Sequence, residues 1–271
     1  MIRKAAIYLM LTAGALITTF PFLWMVSTAL KSEAEAFAAG LDIFPERFMW
    51  SNFVTMFREV PQFGTYFYNS FFVAFCVTAA VVITATLSGY TFARLDFPGR
   101  QALFSLVLAT MMVPFEVTLI PNVMLINAFG WRDSYAALIV PWCANAFSIF
   151  LLRQAFMGLP SEFFDAAKVD GCGHLRFLVW IATPLVKPAV VTVGLFAFLA
   201  SYNSLMWPLV VTDSDNMRVV QVGLTLFSSD DGVRLHLLMC AATIVILPTV
   251  ALYFAAQRYF LESAISAGIK G

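Results

Sequence analysis

The residues best suited to bind a solute lie mostly in one apolar stretch in the last third of the chain. The set comprises Asn145, Ser201, Tyr202, Asn203, Ser204, Trp207 and Pro208. Amide and hydroxyl groups beside an aromatic face suit a sugar, and polar residues within a membrane usually face a cavity or a neighbouring helix. Pro208 is expected to break its helix and to free backbone carbonyls. Hydrogen bonding of Asn203 and Ser204 between helices is the alternative.

The sequence lacks the residue sets that catalysis by this chain would require. It has no Ser-His-Asp set, no paired carboxylates within an apolar stretch and no histidine-rich cluster. A Gly-x4-Gly-Lys-Ser/Thr phosphate loop is absent, since no Gly-Lys pair occurs. The four cysteines form no Cys-x-x-Cys pair, and His174 and His236 have no neighbour at metal-ligand spacing. We therefore expect neither an active site nor a metal site.

A second distinctive group of residues surrounds a short polar helix. Ser161 is a suitable N-cap and Gly171 a typical stop signal, which predicts a helix from Ser161 to Asp170. A second helix is predicted from His174 to about Thr183, ending at Pro184. A helix as short as the first is marginal by itself, so it must pack on its own protein or on a partner. The residues leave these two possibilities open.

Membrane-spanning helices must position these residues. Of the 271 residues, 61% are hydrophobic and 12% are charged, which is about half the charge of a soluble domain. The net charge of zero gives no basic surface for nucleic acid. A helix needs about 20 apolar residues to cross the hydrocarbon core. Six stretches predict six spans: Ala5–Leu30, Asn69–Ala93, Gln101–Trp131, Ser134–Leu152, Pro188–Thr212 and Leu235–Gln257.

The third stretch is longer than one crossing requires. It contains Glu116 between Pro114 and Pro121, so we predict a helix from Gln101 to about Pro114 that leaves the bilayer near Glu116. Residues 117–130 are then expected to form a partly helical, proline-broken segment at the far surface. A seventh crossing is the alternative. Glu116 would couple transport to an ion only if it lay in the middle of the bilayer.

Six spans place both chain ends on one side of the membrane. The first apolar stretch is too long for a signal peptide, so we expect an uncleaved helix. Basic residues favour cytoplasmic loops. Ten of the 16 Lys and Arg residues fall on the side of the termini, which predicts cytoplasmic termini: Arg3, Lys4, Arg94, Arg100, Arg153, Lys168, Arg176, Lys187, Arg258 and Lys270.

The span boundaries divide the chain into regions of different character. We predict a first transmembrane helix in residues 1–30 with a short cytoplasmic N-terminus, an extracytoplasmic loop 31–68, a core of five helices in 69–260, and a cytoplasmic tail 261–271. The core contains an inner loop, 153–187, and a second outer loop, 213–234, rich in Asp and Ser.

The inner loop resembles the coupling-loop signature of binding-protein-dependent ABC importer permeases. That signature is Glu-Ala-Ala, three residues, Gly, nine residues, and Ile-x-Leu-Pro. In this chain Asp165-Ala166-Ala167, Gly171, Ile181 and Pro184 occupy the corresponding positions. Asp165 replaces Glu, which keeps the charge but shortens its reach, and Thr183 replaces Leu.

Further segments resemble the carbohydrate-uptake subgroup of the same family. The resemblance is to the smaller inner-membrane subunit of the maltose and glycerol-3-phosphate transporter type, and it extends over nearly the whole chain. The segments are PFLWMVSTALKSEAE, NSFFVAF, GYTFARLDFPGR, MMVPFEVTLIPNVMLINAFGWRDSYAALIVP, YNSLMWPLVVT and QRYFLESAISAGIKG.

The resemblance implies an all-α membrane protein with the type I ABC importer permease fold: six transmembrane helices and a cytoplasmic coupling helix. It implies a non-catalytic permease subunit in a bacterial-type inner membrane, with no cofactor of its own. A separate ATPase dimer would use ATP and Mg²⁺, a second permease subunit would complete the pathway, and an extracytoplasmic binding protein would deliver a sugar or a related polyol or glycerol-phosphate solute.

The resemblance also assigns residues to roles. The implied ATPase-coupling residues are Glu162, Asp165, Ala166, Ala167, Asp170, Gly171, Ile181 and Pro184. The implied substrate pathway comprises Asn145, Tyr202, Asn203, Ser204 and Trp207. The outer loop 213–234 would brace the binding protein or serve as a solvated connector. The tail 261–271 would reach the ATPase or remain disordered.

Two other classes of function compete with this interpretation. An ion-coupled carrier would bury Asp, Glu, His or Arg deep in its spans, and five of the six predicted spans lack such a residue there. A membrane enzyme would need one of the catalytic sets that the sequence lacks. Neither alternative accounts for the inner loop.

Overall fold

A computed structural model describes residues 2–38, 42–229 and 232–268 of the chain, which are predominantly helical. The helices are α1 (Ile2–Ala29), α2 (Glu33–Ala36), α3 (Ser51–Glu59), α4 (Phe63–Arg94), α5 (Arg100–Thr110), α6 (Phe115–Ala128), α7 (Tyr135–Ile139), α8 (Ala146–Met157), α9 (Ser161–Val169), α10 (His174–Phe177), α11 (Thr183–Leu185), α12 (Lys187–Tyr202), α13 (Met206–Val211), α14 (Val220–Thr225) and α15 (Leu235–Gly268). A 3-10 turn (Val140–Trp142) follows α7, a π-helical segment (Leu178–Ala182) joins α10 to α11, and β1 (Ser228–Ser229) pairs antiparallel with β2 (Gly232–Val233).

Three helices in the described residues are each long and apolar enough to cross a bilayer: α1, α4 and the part of α15 that ends at Gln257. Three bent pairs raise the number to six if each pair is one span. These pairs are α5 with α6, the Tyr135–Trp142 segment with α8, and the His174–Leu185 segment with α12. The upper number agrees with the six predicted spans, but the third pair begins at His174, inside the predicted inner loop, whereas the fifth predicted span began at Pro188. The predicted second span began at Asn69, whereas α4 begins at Phe63.

The third predicted span is bent by 97° between α5 and α6. The helix from Gln101 was expected to continue to about Pro114, but α5 ends at Thr110. The predicted proline-broken segment was not found, because α6 is continuous around Pro121. A proline removes one backbone donor, and the hydrogen bonds on either side can still hold a helix together.

The fifth predicted span, Pro188–Thr212, is two helices. The helix stops at Tyr202 and restarts at Met206, so Pro208 is not the point of the break. Pro208 instead lies in the first turn of α13, where its missing N–H would have no intrahelical partner.

The chain divides into two compact units, and the first comprises residues 1–67 and 220–250. Its outer loop is held by hydrogen bonds from side chains to backbone carbonyls close to the end of α1. The buried Asn52 amide donates to the carbonyl oxygens of Ala29 (3.0 Å) and Lys31 (2.7 Å). The Lys31 Nζ, also buried, donates to the carbonyl of Asp42. The loop is therefore folded onto the helix that precedes it.

Part of the second outer loop also belongs to this unit. Val220, Val222 and Gly223 of α14 are buried, and a Cβ at Gly223 would lie 2.6 Å from Cδ2 of Tyr66. The alternative of a solvated connector is therefore wrong for residues 220–223, because Val220, Val222 and Gly223 are buried within this unit.

The second unit comprises residues 68–219 and 251–271. Within it α4 packs closely against α8, since a Cβ added at Gly89 would lie 3.0 Å from both the Arg153 nitrogen and the Leu152 Cβ. Nearer the other end of the pair, the Thr84 hydroxyl donates to the carbonyl of Cys143 at 2.8 Å. The helical backbone of α15 continues into the predicted tail as far as Gly268, and residues 269–271 lie outside the described residues.

Candidate functional site

The helix predicted in the inner loop is present as α9, which ends one residue before the predicted Asp170. Ser161 is not its N-cap. Pro160 holds that position with extended backbone (φ −58°, ψ 141°), and no side chain bonds to the free N–H groups. The ring fixes φ and so sets the direction of entry without a capping hydroxyl. Glu162 lies in the first turn, where its negative charge interacts favourably with the positive end of the helix dipole.

The end of α9 is a Schellman turn centred on Gly171. The Cys172 N–H donates to the Ala167 carbonyl at 2.8 Å, and the Gly171 N–H donates to the Lys168 carbonyl at 3.1 Å. Gly171 has φ +71°, in the left-handed region that residues with a Cβ rarely adopt. This turn reverses the chain between α9 and α10.

Replacing Gly171 by Ala is expected to destabilise the turn by about 1–2 kcal/mol, because a Cβ disfavours the left-handed conformation. Gly171→Asn should cost less, since Asn tolerates this region. No atom lies within 4 Å of the added Cβ, so backbone strain alone separates the two variants. Thermal unfolding of the purified chain measures the difference. Equal stability of Ala and Asn variants would contradict this explanation.

Helix α9 has one face packed on its own protein and one face in solvent. Ala167 is buried, and the Phe164 ring packs against Phe177 at 5.1 Å between centroids. The opposite face is exposed and carries three residues named by the resemblance together with Val169, which is 88% exposed. These four residues are Glu162, Asp165, Ala166 and Val169. We call them the outer face of α9.

The sequence left open whether this helix packs on its own protein or on a partner. In the structure one face packs on the protein, and the other face is free to contact a partner. The inner side supplies the packing that a short helix needs. The outer face leaves a valine, an alanine and two carboxylates uncovered. The resemblance missed Val169, and only its exposure identifies it.

The last turn of α4 holds both ends of the elbow formed by α9 and its flanking turns. Before α9, the Arg94 guanidinium donates to the Phe156 carbonyl from Nε (3.2 Å) and Nη2 (2.9 Å), and Nη2 also donates to the Leu159 carbonyl. After α9, the Tyr90 hydroxyl lies 3.1 Å from Nδ1 of His174. We call this pair, Tyr90 and Arg94, the α4 seat.

The sequence did not identify the α4 seat as part of the site. Tyr90 and Arg94 are four residues apart, so they share one helix face. The GYTFARLDFPGR segment contains both residues, but their partners lie between 62 and 84 residues away along the chain. No local pattern could therefore have paired them.

The remaining two motif residues lie in the helix after the turn. Ile181 is half-buried within the π-helical segment, and Pro184 is exposed in α11. This helix was expected to stop at Pro184 but continues to Leu185. The π segment, in which the Thr183 N–H donates to the Leu178 carbonyl, lets the helix adjust to a proline that has no N–H.

The second candidate site is a cavity of about 500 Å³ within the second unit. Five helices contribute to it, α4, α7, α8, α12 and α13, together with the 3-10 turn after α7. Its lining includes Asn145, Ser204 and Trp207 from the predicted pathway, together with Ser201 and Pro208. The remaining lining residues are Ser70, Val73, Val77, Val81, Leu138, Trp142, Ala144, Phe147, Ser148, Phe196, Ala197, Ala200 and Val219.

Tyr202 and Asn203 of the predicted pathway do not line the cavity. The Tyr202 ring is buried and stacks on Phe198 at 5.6 Å. The Asn203 side-chain amide donates to the Leu199 carbonyl at 2.9 Å, and the same carbonyl accepts the Asn203 backbone N–H at 3.0 Å at the end of α12. Both residues therefore support the helix break beside the cavity.

Asn145 and Trp207 are held in place at the cavity wall. Asn145 is the N-cap of α8, and its Oδ1 accepts from the Ser148 N–H at 2.9 Å. The Trp207 Nε1 donates to the Ala137 carbonyl at 2.9 Å, and its ring lies edge-on to Trp142. Both side chains thus have one orientation.

Residues 213–218 of the second outer loop are fixed to the second unit. The buried Asn69 amide donates to the carbonyl oxygens of Asn216 (2.8 Å) and Arg218 (2.9 Å). The Arg132 guanidinium makes a two-point contact with Asp213, at 2.6 and 2.8 Å. The sequence showed these residues only as loop charges and the start of a span.

The carboxylates of this attachment are stabilised in their charged form. The hydrogen bond from Arg132 lowers the pKa of Asp213 below its ordinary 3.8. Partial burial would raise the pKa of Asp133, but N–H groups of Asp213 and Ser214 bond its carboxylate and bring the net pKa below 3.8. The attachment is therefore strongest when both carboxylates are ionised.

We expect the attachment to persist from pH 8 to pH 5 and to weaken below about pH 4. A carboxylate whose pKa is lower in the folded state stabilises that state above its unfolded pKa, and this stability is lost as the pH falls. Hydrogen exchange of residues 213–218 measures it. Arg132→Gln should weaken protection already at neutral pH. A transition between pH 5 and 7 would contradict the assignment.

Comparisons with known proteins agree with this architecture. Residues 82–264 match the family described as binding-protein-dependent transport system inner membrane component. The arabinooligosaccharides transport system permease protein AraQ of Halalkalibacterium halodurans is 31% identical over 95% of this chain and 93% of its own. The sn-glycerol-3-phosphate transport system permease protein UgpE of Yersinia enterocolitica is 29% identical over 95% and 94%.

A solved structure has the same fold. A chain of a bacterial ABC transporter involved in the import of the acidic polysaccharide alginate superposes with a TM-score of 0.85, covers 96% of each chain and is 21% identical.

The chain belongs to the family of inner membrane components of binding-protein-dependent transport systems. It is a multi-pass permease of an ABC importer, and it is the non-catalytic component: this family binds no cofactor, and ATP is used by a partner ATPase.

Proposed function

We propose that this chain is one of two different permease subunits of an importer that moves a sugar or a related polyol or glycerol-phosphate solute. An extracytoplasmic binding protein delivers the solute, an ATPase dimer drives the transport with ATP and Mg²⁺, and both termini of this chain are cytoplasmic. The two curated relatives, whose names specify arabinooligosaccharides and sn-glycerol-3-phosphate, support this class of solute.

The observation that carries the proposal is the uncovered outer face of α9. Its apolar side chains, Ala166 and Val169, lie in solvent beside the carboxylates of Glu162 and Asp165. Exposed apolar side chains on a short helix of which only Ala167 is buried indicate a partner. In our proposal the ATPase covers this face, with Asp165 as the charged contact and Ala166 as the point of closest approach.

The other coupling residues have supporting roles in the proposal. Asp170 is the exposed C-cap of α9, and Gly171 makes the turn that fixes its end. Ala167 is buried and packs the helix on its own protein. Ile181 and Pro184 shape the helix that carries the elbow back to α12.

Two helices connect the elbow to the cavity within the second unit. The carboxyl-terminal end of α4 holds the elbow through Tyr90 and Arg94, and the same helix lines the cavity with Val77 and Val81. Helix α8 also connects the two sites, because its Phe156 carbonyl accepts the hydrogen bond from Arg94 at the elbow and its Ser148 lines the cavity. From Val77 to Tyr90 is about 20 Å along a helix. We infer that movement of α9 is carried to the cavity wall along this pair.

Purification of the tagged chain from its own membranes tests the proposal. We expect it to bring down an ATPase and a second permease subunit, and the reconstituted assembly should accumulate solute only when ATP is supplied on the ATPase side. A lone chain that transports solute without ATP would contradict the proposal and favour an ion-coupled carrier.

Solute contact in the cavity has its own test. Replacing Ser204 by Ala is expected to slow uptake about two- to tenfold, since one neutral hydrogen bond is worth about 0.5–1.5 kcal/mol. Ser105→Ala is the matched control, because Ser105 is exposed on α5 and does not line the cavity. Equal uptake by both variants would show that Ser204 does not contact solute.

A further inference from the structure

The cavity wall is mainly apolar, includes a few polar side chains and carries no formal charge. Its described lining contains five hydroxyl or amide side chains, and neither an acidic residue nor Lys, Arg or His is among the lining residues. The five are Ser70, Asn145, Ser148, Ser201 and Ser204. Four aromatic residues, Trp142, Phe147, Phe196 and Trp207, lie among them.

We infer that the cavity accepts an uncharged, polyhydroxylated solute and excludes phosphorylated and acidic ones. This inference rests on the proposed function and narrows it to neutral sugars. The names of the two curated relatives specify solutes that differ in this property, since arabinooligosaccharides are neutral and sn-glycerol-3-phosphate is an anion.

An anion moving through this cavity would lack a positive partner on this chain. A desolvated phosphate or carboxylate is strongly unfavourable unless a cation or several N–H groups compensate for the lost water. Four arginines of this unit are engaged elsewhere: Arg94 with backbone carbonyls, Arg132 with Asp213, Arg153 with the Phe92 carbonyl and the Phe104 ring, and Arg218, which precedes the lining residue Val219, with Asp215. None of these four lines the cavity.

The hydrogen-bonding capacity that remains at the wall suits hydroxyl groups. In the described part of the chain, the hydroxyls of Ser201 and Ser204 and the Nδ2 of Asn145 have no hydrogen-bond partner, whereas Asn145 Oδ1 is used by Ser148. A serine hydroxyl both donates and accepts, as does the hydroxyl of a sugar. Aromatic rings beside such groups provide flat apolar surface for the C–H faces of sugar rings.

The selectivity of the complete assembly tests this inference. Proteoliposomes containing both permeases and the ATPase, with ATP on the ATPase side and the binding protein on the other, receive an equimolar mixture. It contains neutral pentoses, hexoses, polyols and di- and trisaccharides, uronic acids and their di- and trisaccharides, and sn-glycerol 3-phosphate. Mass spectrometry of the lumen should show at least tenfold greater ATP-dependent accumulation of a neutral probe than of any anion.

Comparable or greater accumulation of an anionic probe would overturn the inference and leave the proposed function standing. No ATP-dependent accumulation of any probe would instead contradict the proposed function itself. The wild-type assembly provides this measurement, so the result does not depend on whether a variant folds.

A charge placed in the cavity tests where the selectivity arises. Ser201→Lys is expected to lower uptake of the neutral solute at least tenfold and to raise the ratio of anionic to neutral uptake. Ser51→Lys, on the exposed first residue of α3 in the outer loop, should leave that ratio unchanged. An unaltered ratio in Ser201→Lys, at equal levels in the membrane, would show that solute does not pass this wall.

Discussion

Replacing Ala166 by Asp is expected to reduce solute-stimulated ATP hydrolysis by the assembled importer at least thirtyfold. The new carboxylate would lie on the outer face of α9, four residues from both Glu162 and Asp170 and thus on the same side of the helix. If the ATPase covers this face, an unpaired charge there costs about 2–5 kcal/mol, and each 1.4 kcal/mol corresponds to a factor of ten.

Neighbouring substitutions separate contact from folding. Ala166→Ser adds one oxygen at the same position and should retain most activity. Ala167→Asp places the charge one residue later on the buried side of α9, so it should lower the amount of folded chain in the membrane. Ala166→Asp should leave that amount unchanged, because Ala166 is exposed. Normal stimulation of the ATPase by Ala166→Asp would refute the coupling role of this face.

The Arg94→Gln substitution is expected to uncouple ATP hydrolysis from transport, with about tenfold fewer solute molecules moved per ATP. Arg94 joins the end of α4 to the Phe156 and Leu159 carbonyls that precede α9. Hydrogen bonds from a charged donor are each worth about 1.5–3 kcal/mol, so their loss loosens the elbow from the helix that lines the cavity. The ratio of uptake to phosphate release measures the effect.

Two further arginine variants test whether the uncoupling comes from the hydrogen bonds of Arg94. Arg94→Lys keeps the charge but loses the forked donor geometry, so it should fall between wild type and Arg94→Gln. Arg100→Gln removes an exposed ion pair with Asp96, whose side chain is 93% exposed, and should behave as wild type. An unchanged transport ratio in Arg94→Gln would limit this arginine to a purely structural role.

The sequence by itself determined the features that depend on near neighbours along the chain. Apolar stretches of about 20 residues must be buried in lipid, which predicted the segments that form α1, α4 and most of α15. Gly171 fixed the end of α9 because the turn needs a residue that tolerates positive φ. The residue pattern around Asp165 likewise placed the chain in its family before any tertiary contact was known.

The tertiary structure alone decided which of these residues face a partner and which face the protein. Ala166 and Ala167 are adjacent and chemically identical, yet only Ala167 is buried, because the packing of Phe164 and Phe177 sets the rotation of α9. The α4 seat, the cavity lining and the break before α13 likewise depend on side chains brought together from distant parts of the chain. Local periodicity and propensity contain no information about such pairs, since hydrogen bonds and ring contacts act only over a few ångströms in space.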